Sequence, residues 1–330
     1  MLDAIKNLVS INGVSGSEHQ ITEYIKAQVM PLADKVYTDV MGNLVAVKRG
    51  SGKRIMLMAH TDEIGLVATY ADEKGFLRVA AVGGVSTVKM LNSYVTFENG
   101  VRGVLRADEV SDEIKIDNCF VDIGAVCRDD ALSKIDIGMT ARFDGDTFMM
   151  GDDLIVSKAL DDRLGCYMLI EVLKQLKATD NEVYFVFTTQ EEVGLRGAKV
   201  CGFDINPDVA IAVDIVTATD TPNCKRYGTS LGDGIAIKLR DASAICSKKV
   251  VDTLIETAIE NDIKYQREAK TAGGTDIGAV QTAGRGALVG GVVVPIRNTH
   301  TITETASVRD VECGIKLLLA FVQKDIENIL

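Results

Sequence analysis

The fold of this 330-residue chain is decided by the stretch Glu182-Val-Tyr-Phe-Val-Phe-Thr-Thr-Gln-Glu191-Glu192-Val-Gly194. Its first half is an almost continuous run of apolar, β-branched and aromatic residues. This pattern is typical of a strand that is buried on both faces of a parallel sheet. The run stops at two adjacent carboxylates. Because ligands of open α/β sheets bind outside the carboxyl ends of the strands, Glu191 and Glu192 are placed for chemistry rather than for packing. Adjacent side chains on an extended backbone point to opposite sides, so the two acids are expected to have different roles. The alternative is an ordinary charged loop after a strand.

Three further apolar runs also lead to polar groups. These runs are Arg54–Ala59 with His60, Thr61, Asp62 and Glu63; Val209–Val213 with Asp214; and Val292–Val294 with His300 after a short turn. The pair Asp161-Asp162 precedes an apolar helix that is predicted to run to Leu176. The chain has only 3 histidines, and His19 is expected on the surface of a predicted helix. The remaining polar groups form one candidate site.

Two imidazoles and several carboxylates without clustered cysteines are ligands suited to Zn, Co or Mn. Converging carboxylates repel one another unless cations neutralise them. Two ions about 3.5–4 Å apart that share a bridging carboxylate would do so, and they would activate a water for hydrolysis. Asp62 is close enough in the chain to accept the second ring N–H of a ligating His60. Glu63 is expected to face solvent.

Each of these residues also has a simpler explanation. His60 alone could be a hydrogen-bonded core histidine, and Asp214 could cap a turn or helix. One of Asp161 and Asp162 is expected to be a helix cap. The turn Gly273-Gly-Thr-Asp276 could contact a substrate, although a plain connection is favoured. These explanations account poorly for the joint occurrence of so many polar groups at the ends of apolar runs.

The composition argues against several classes of function. The chain has 36 basic and 47 acidic residues and a net charge of -11, which argues against nucleic acid and anionic membranes as partners. No apolar run reaches the length of a bilayer, and the N-terminus lacks a signal pattern, so a cytoplasmic protein is expected. The 7 scattered cysteines contain no C-x-x-C pair and fit reduced thiols. Aromatic residues are only 5% of the chain, which leaves little material for a sugar-stacking surface.

The chain is predicted to be α/β, with a mostly parallel mixed sheet, flanking helices and an inserted small all-β domain. The α/β domain comprises residues 1–65 and 152–330. Residues 66–151 alternate short strand-like runs with Gly and Asp turns and contain no long helix. Ser17 and Gln20 predict a capping box that opens a helix to Val29. A closing helix is predicted from Ser307 to Ile329.

Six motifs, in chain order, resemble the tetrahedral (TET) aminopeptidases, dinuclear metallo-aminopeptidases that include glutamyl and deblocking enzymes. The motifs are His60-Thr-Asp-Glu-Ile-Gly65, Lys158-Ala-Leu-Asp-Asp-Arg-Leu-Gly165, Gln190-Glu-Glu-Val-Gly-Leu-Arg-Gly197, Val213-Asp214, Gly273-Gly-Thr-Asp276 and Arg297-x-x-His300. The resemblance implies a zinc-exopeptidase-like fold. It also implies that the inserted β-barrel-like domain mediates dimer contacts and that dimers assemble to a dodecamer.

The same resemblance implies a ligand set of five residues. His60 and Asp214 would bind one ion, Glu192 and His300 would bind the other, and Asp161 would bridge the two. The cofactors would be two divalent metal ions per subunit, with Zn or Co favoured and Mn also accepted.

Two residues receive catalytic roles by resemblance. Glu191 would be the general base that takes a proton from the attacking water and passes it to the leaving amine. Asp62 would orient His60. The substrates would be peptides, cleaved at the N-terminal peptide bond.

Three alternatives stand beside this function. A deacylase or carboxypeptidase could use the same two ions. A glycoside hydrolase would use two carboxylates and no metal, and some relatives carry a cellulase or endoglucanase label, but that chemistry has no use for His60 and His300. A non-catalytic scaffold predicts a lost ligand, whereas every position is filled. The chain departs from the family at Thr61, at Thr301-Ile-Thr, where Glu304 is still present, and around residues 106–117, where it is more acidic.

Overall fold

The computed structural model describes residues 1–108, 114–224 and 228–327. Nine α-helices lie in these ranges. They are α1 Leu2–Ser10, α2 His19–Val29, α3 Thr87–Met90, α4 Arg128–Lys134, α5 Leu160–Gln175, α6 Arg196–Ile205, α7 Lys248–Glu260, α8 Ile277–Val280 and α9 Val308–Gln323. The longest of them have 16 residues, and no helix of the described ranges is long and apolar enough to cross a bilayer.

The same ranges contain seventeen strands. They are β1 Lys35–Thr38, β2 Leu44–Lys48, β3 Arg54–His60, β4 Gly65–Ala71, β5 Leu77–Val82, β6 Tyr94–Phe97, β7 Arg102–Ala107, β8 Cys119–Asp122, β9 Thr140–Phe143, β10 Phe148–Met150, β11 Leu154–Ser157, β12 Glu182–Thr188, β13 Val209–Thr217, β14 Ile235–Arg240, β15 Tyr265–Ala269, β16 Leu288–Arg297 and β17 Glu304–Ser307. They form an 11-stranded sheet and a closed barrel.

The large sheet is mixed and has flanking helices, as predicted, but it is not mostly parallel. Its order is β1-β2-β12-β3-β13-β16-β17-β11-β10, with β14 and β15 joined through β16. Strands β12, β3, β13 and β16 run parallel in the centre. The flanking pairs on this path are antiparallel. At both edges, short hairpins replace the helical crossovers that parallel strands require.

The main hydrophobic core lies between the central strands and the helices. Helix α5 is buried along most of its length and packs against β3 and β13. Gly165 permits this close approach, because a Cβ there would lie 2.5 Å from the carbonyl oxygen of Val213. The helix therefore brings its N-terminal residues, Asp161 and Asp162, against the carboxyl ends of the central strands.

The inserted all-β region forms a closed six-stranded barrel in the order β4-β5-β8-β7-β6-β9. The barrel has its own hydrophobic core, which includes Leu66, Phe97, Leu105 and Val121. In the described part of this region, the short helices α3 and α4 and a 3-10 turn at Ile116–Asn118 accompany the strands. Part of the acidic segment around 106–117 lies outside the described residues, at 109–113.

Two helix-end predictions are wrong. Helix α2 begins at His19 without a side-chain cap, because the hydroxyl of Ser17 instead donates to Glu98 of the barrel. Helix α9 ends at Gln323, and residues 328–330 of its predicted extension lie outside the described residues. The amide of Asn181 donates to the carbonyl oxygens of Val322 and Lys324, so a tertiary contact satisfies this end of the helix.

Candidate active site

The predicted polar groups converge at the carboxyl ends of the central strands. His60 closes β3 and lies in register with Thr188 at the end of β12, directly before the Glu191 loop. The sequence predicts Asp214 directly after its strand, whereas the structure places it within β13. The pairing of β13 with β3 stops at Ala212, whereas its pairing with β16 continues to Thr217. Asp214 therefore lines the cleft that opens beside β3.

Two groups of side chains are arranged so that each could hold a metal ion. One is His60, Asp161 and Asp214, and the other is Asp161, Glu192 and His300, with the ligand atoms of each group within 4.8 Å of one another. Asp161 is common to both. Its two carboxylate oxygens lie 3.1 Å from Nε2 of His60 and 3.3 Å from Nε2 of His300. The five predicted ligands are thus together, with one carboxylate between the two groups.

The ring nitrogens of the two histidines test whether this site fits a cation. Nδ1 of His60 lies 3.0 Å from the carbonyl oxygen of Asp62, and Nδ1 of His300 lies 3.0 Å from that of Gly84. A carbonyl only accepts, so each Nδ1 carries the hydrogen, and Nε2 of a neutral ring is then an acceptor. Both Nε2 atoms face carboxylate oxygens of Asp161, which also accept. Opposed lone pairs need a proton or a metal ion between them, and this donor set fits a divalent metal.

The pKa values reflect an excess of buried acid. Burial raises the pKa of Asp214 to about 7, and nearby Asp161 adds to the effect while His60 opposes it. Burial raises the pKa of Glu191 well above its usual value despite His60, with Asp214, Asp276 and Glu192 adding to the rise. Burial opposes charge on His300, but its hydrogen bonds with Asp161 and Glu192 prevail and raise its pKa to about 11. Without a metal ion, protons therefore neutralise the site.

The carboxylate of Asp62 holds the loop that carries the two glutamates. Its oxygens accept hydrogen bonds from the main-chain N–H of Glu191 at 3.0 Å, that of Glu192 at 3.1 Å and the hydroxyl of Ser15 at 2.6 Å. The expected contact with the His60 ring is longer, at 3.5 Å, because the carbonyl oxygen of Asp62 is the nearer acceptor. Asp62 thus orients His60 through its main chain and the glutamate loop through its side chain.

Asp161 and Asp162 have different surroundings. One of the two was expected to cap a helix, and this residue is Asp162. One oxygen of Asp162 accepts from the N–H of Gly165 at 3.0 Å, and the other accepts from the N–H of His60 at 3.1 Å. Asp162 therefore caps the first turn of α5 and ties it to β3. Asp161 keeps its carboxylate for the two histidines.

Glu304 is a site residue to which the sequence assigned no role. It is buried, and its oxygens accept from the N–H of His300 at 2.7 Å and from that of Asp161 at 3.1 Å. Burial raises its pKa to about 8, with Asp161 adding to the effect. Glu304 thus fixes the main chain of two metal-ligand candidates. Its place four residues after His300 was the signal that could have identified it.

Glu63 is buried, and the expectation that it faces solvent is wrong. Its carboxylate is 2.5 Å from Nζ of Lys158 and 3.5 Å from Nη2 of Arg163, and both cations are also buried. Arg163 donates in addition to the carbonyl oxygens of Thr61 and Leu8. This cluster joins the segment after His60 to the segment around Asp161. The Lys158-x-x-x-x-Arg163 spacing in the motif was its signal in the sequence.

A cleft of about 460 Å³ opens next to these groups. The two metal-ligand groups, Lys238, Lys270 and the turn Gly273-Gly-Thr all line it, so this turn borders the cleft as well as connecting two elements.

Several non-glycine residues around the site have a left-handed backbone. They are Ala159, Gln190, Leu195 and His300, with φ of 51°, 55°, 57° and 59°. Such conformations are rare outside glycine and persist where the surrounding structure enforces them. At Gln190 and His300, hydrogen bonds from the main-chain N–H to buried glutamates provide that enforcement.

Comparisons with known proteins agree with this geometry. Residues 42–317 match the M42 glutamyl aminopeptidase family. A protein of Acetivibrio thermocellus with an aminopeptidase name is 45% identical over 322 residues, which cover 97% of each chain. The aminopeptidase APDkam598 of the archaeon Desulfurococcus kamchatkensis is 33% identical, with a TM-score of 0.96 over 99% of this chain and 97% of that one. The TET1 peptidase of Pyrococcus horikoshii is 31% identical, with a TM-score of 0.91 over 98% and 99%, and can assemble into a tetrahedron or a large octahedral shell. The chain belongs to the M42 glutamyl aminopeptidase family and is an aminopeptidase, a hydrolase of peptide bonds.

Proposed function

We propose that this aminopeptidase removes N-terminal residues from peptides with two divalent metal ions and Glu191 as the general base. His60 and Asp214 would hold one ion, Glu192 and His300 would hold the other, and Asp161 would contribute to both. The single observation that carries the proposal is the shared position of Asp161 between two groups of potential ligands. Ions held there would supply the Lewis acidity that activates a water molecule and polarises the scissile carbonyl. Imidazole and carboxylate ligands suit Zn and Co, and also Mn.

In this proposal Glu191 transfers a proton from the attacking water to the leaving amine. Its carboxylate lies 3.9 Å from Nε2 of His60 and borders the cleft, and its main chain is held by Asp62. Burial and the neighbouring acids raise its pKa. Added positive charge in the site lowers that pKa and leaves a carboxylate that accepts a proton from the attacking water. Glu191 then donates the proton to the leaving amine.

The cleft supports a preference for an acidic N-terminal residue. Lys270 borders it, and Nζ of this residue donates to the main-chain carbonyl of Thr217. No carboxylate of the described ranges lies within 4 Å of that ammonium. Lys238 is instead paired with buried Glu268 at 3.0 Å. Lys270 is thus the cation that remains for a substrate carboxylate.

Lys270→Met tests this preference. We expect kcat/KM for N-terminal Glu to fall about fivefold relative to N-terminal Leu, because an exposed or half-exposed charge pair contributes of the order of 1 kcal/mol. Exposed Lys199 of α6 lies outside the cleft lining, and Lys199→Met is the matched control. An unchanged Glu-to-Leu ratio would rule out Lys270 as the determinant.

The glycoside hydrolase alternative fits the site less well. That chemistry needs two carboxyl groups on either side of a glycosidic bond and no imidazole between them. Here both imidazoles lie against the central carboxylate of Asp161. A deacylase with the same ions stays a second candidate, because the same water activation serves both amide substrates.

We also propose that the barrel mediates homo-oligomer contacts and that the protein is cytoplasmic. The barrel exposes large apolar side chains, among them Tyr94, Val88 and Val126. Such residues are enriched where surfaces associate, and the Pyrococcus horikoshii relative forms closed shells. Dimers that assemble to a dodecamer follow by analogy with such shells. All seven cysteines are free thiols, which fits a reducing compartment.

Chelator-treated protein tests the proposed chemistry. The substrates are aminoacyl amides and peptides with free or acetylated N-termini, assayed before and after addition of Zn, Co or Mn. We expect activity to return with metal and to require a free amine. Activity on acetylated substrates would favour the deacylase, and full activity without metal would overturn the proposal.

Glu191→Gln tests the proton-transfer role in the same assay. We expect two bound ions per subunit and a fall in kcat of about 10²–10⁴-fold, the usual contribution of a general acid–base group. Elemental analysis and initial rates measure the two quantities. Near-wild-type kcat would mean that another group transfers the proton.

A further inference from the structure

Four consecutive main-chain N–H groups of the glutamate loop each donate to a side-chain oxygen. Thr189 donates to Asn43 at 2.9 Å, and Gln190 donates to Glu18 at 3.1 Å. The next two N–H groups donate to the oxygens of Asp62. The acceptors come from three separate parts of the chain, and two of them, Asn43 and Glu18, belong to none of the predicted site motifs.

Glu18 is built into this arrangement. It is only 6% exposed, and its Oε1 also accepts from the N–H of Gly16 at 2.8 Å. The residue it holds, Gln190, has φ of 55° and directly precedes Glu191. A left-handed backbone at a residue other than glycine costs of the order of 1–3 kcal/mol and needs an external contact to persist. Glu18 provides that contact from outside the cleft.

Helix capping does not account for Glu18. It stands at the N-terminal end of α2 but makes no side-chain cap hydrogen bond. Its neighbour Ser15 donates to Asp62, so the same short segment contacts the glutamate loop directly and through Asp62. The side chains of Ser15 and Glu18 therefore contact the loop and its support rather than their own helix.

We propose that Glu18 is a positioning residue for catalysis, which holds the Gln190 main chain so that Glu191 is aligned with the attacking water. The inference rests on the proposed role of Glu191 as the general base. Proton transfer depends on hydrogen-bond distance, and a displacement of about 1 Å can lower the rate about 10²-fold. Loss of the Glu18 acceptor leaves the Gln190 N–H without its partner and releases the strained backbone.

The test compares three substitutions in the full-length, metal-loaded protein. Glu18→Met removes the acceptor, whereas Glu18→Gln keeps an oxygen in the same place. Glu23→Met changes an exposed glutamate of the same helix and is the control. We expect Glu18→Met to lower kcat about 10- to 100-fold with KM and metal content unchanged. Glu18→Gln is expected to stay within about threefold of wild type, as is Glu23→Met, because each leaves the acceptor oxygen in place.

Hydrogen–deuterium exchange of metal-free protein gives a readout that does not depend on activity. We expect the Gln190 amide to exchange faster in Glu18→Met and at the wild-type rate in Glu18→Gln. If Glu18→Met does not fold, Glu18→Asp, whose carboxylate is one methylene short, replaces it with the same expectation. The positioning role would be overturned if Glu18→Met or Glu18→Asp left both the Gln190 exchange rate and kcat unchanged. It would also be overturned if Glu18→Gln lost as much kcat as Glu18→Met. Full activity of Glu191→Gln would instead reject the base assignment and leave the exchange result valid.

Discussion

Two buried clusters of charge border the cleft, and they differ in whether a lysine of the chain lies between their carboxylates. Around Lys238, one ammonium lies 3.0 Å from Glu268 and 3.6 Å from Asp241, with all three side chains at most 3% exposed. Around Asp161, the acids outnumber the two imidazoles, whose Nδ1 hydrogens are already donated to carbonyl oxygens. A lysine between two carboxylates lowers the cost of burying them, whereas the acids around Asp161 require protons or cations from solution.

Asp161→Asn is expected to have the largest effect, because it removes the carboxylate common to both groups. We expect fewer than two bound ions and a loss of activity beyond the roughly 10⁴-fold upper range for a single acid–base group. Elemental analysis and kcat/KM measure both effects. Asp129→Asn, on the exposed side of α4, is the control. If Asp161→Asn still bound two ions tightly, the Asp161 carboxylate would not be what holds both ions.

Lys238→Met tests the other cluster. It leaves Glu268 and Asp241 buried without their cation, so we expect the free energy of unfolding to fall by about 3–5 kcal/mol, with metal content retained. Lys248→Met breaks an exposed pair with Asp252 and is expected to cost at most about 1 kcal/mol. Urea unfolding of the metal-loaded proteins measures the difference. Equal losses of unfolding free energy in the two variants would show that burial does not distinguish the Lys238 cluster from the exposed Lys248 pair.

A change of one pH unit in the metal-free protein is expected to have the smallest effect of the three. The pKa values of Asp214 and Glu304 are about 7 and 8 when folded, against about 4 when unfolded. The folded state therefore binds more protons above pH 4, and the free energy of unfolding falls as these acids ionise. His300, with a pKa of about 11, acts in the same direction above pH 6.5.

We expect the free energy of unfolding of the metal-free protein to fall by about 1 kcal/mol or more per pH unit between pH 5 and pH 8. The expected slope is smaller with saturating Zn, because metal charge then replaces the protons. Urea unfolding at four pH values, with chelator or with Zn, measures both slopes. Equal slopes would mean that the site does not dominate this range.

The parts of the site that sequence predicts are those carried by contiguous motifs at the ends of apolar runs. The convergence of His60, Glu192 and His300 follows from such runs, whereas the position of Asp161 between the two groups was implied only by the family resemblance. Glu304 and Glu18 escaped because their function is to accept main-chain N–H groups of distant residues. For Glu304 the four-residue spacing from His300 was the one available signal, whereas nothing in the local sequence indicates the contact between Glu18 and Gln190.

Glu63 and the sheet edges illustrate a second limit. A charged residue after a strand is usually solvated, but two cations from a segment about 100 positions away bury Glu63. The apolar central strands correctly predicted a parallel core, whereas the direction of the flanking strands depends on hairpins at both edges. The burial of Glu63 and the direction of the flanking strands therefore both depend on residues that are distant in the sequence. Such pairings cannot be inferred from the local sequence.

The hydrogen bond between His300 and the carbonyl oxygen of Gly84 joins residues 216 positions apart, and Gly84 lies just after a barrel strand. A Cβ at Gly84 would lie 2.7 Å from the His300 ring, so the two segments meet without room to spare. A chain emerging from the ribosome presents Gly84 early and His300 near its end. The ring is therefore oriented only after almost all of the polypeptide has been made and the barrel has docked. The ligand set proposed for the metal ions therefore becomes complete only near the end of synthesis.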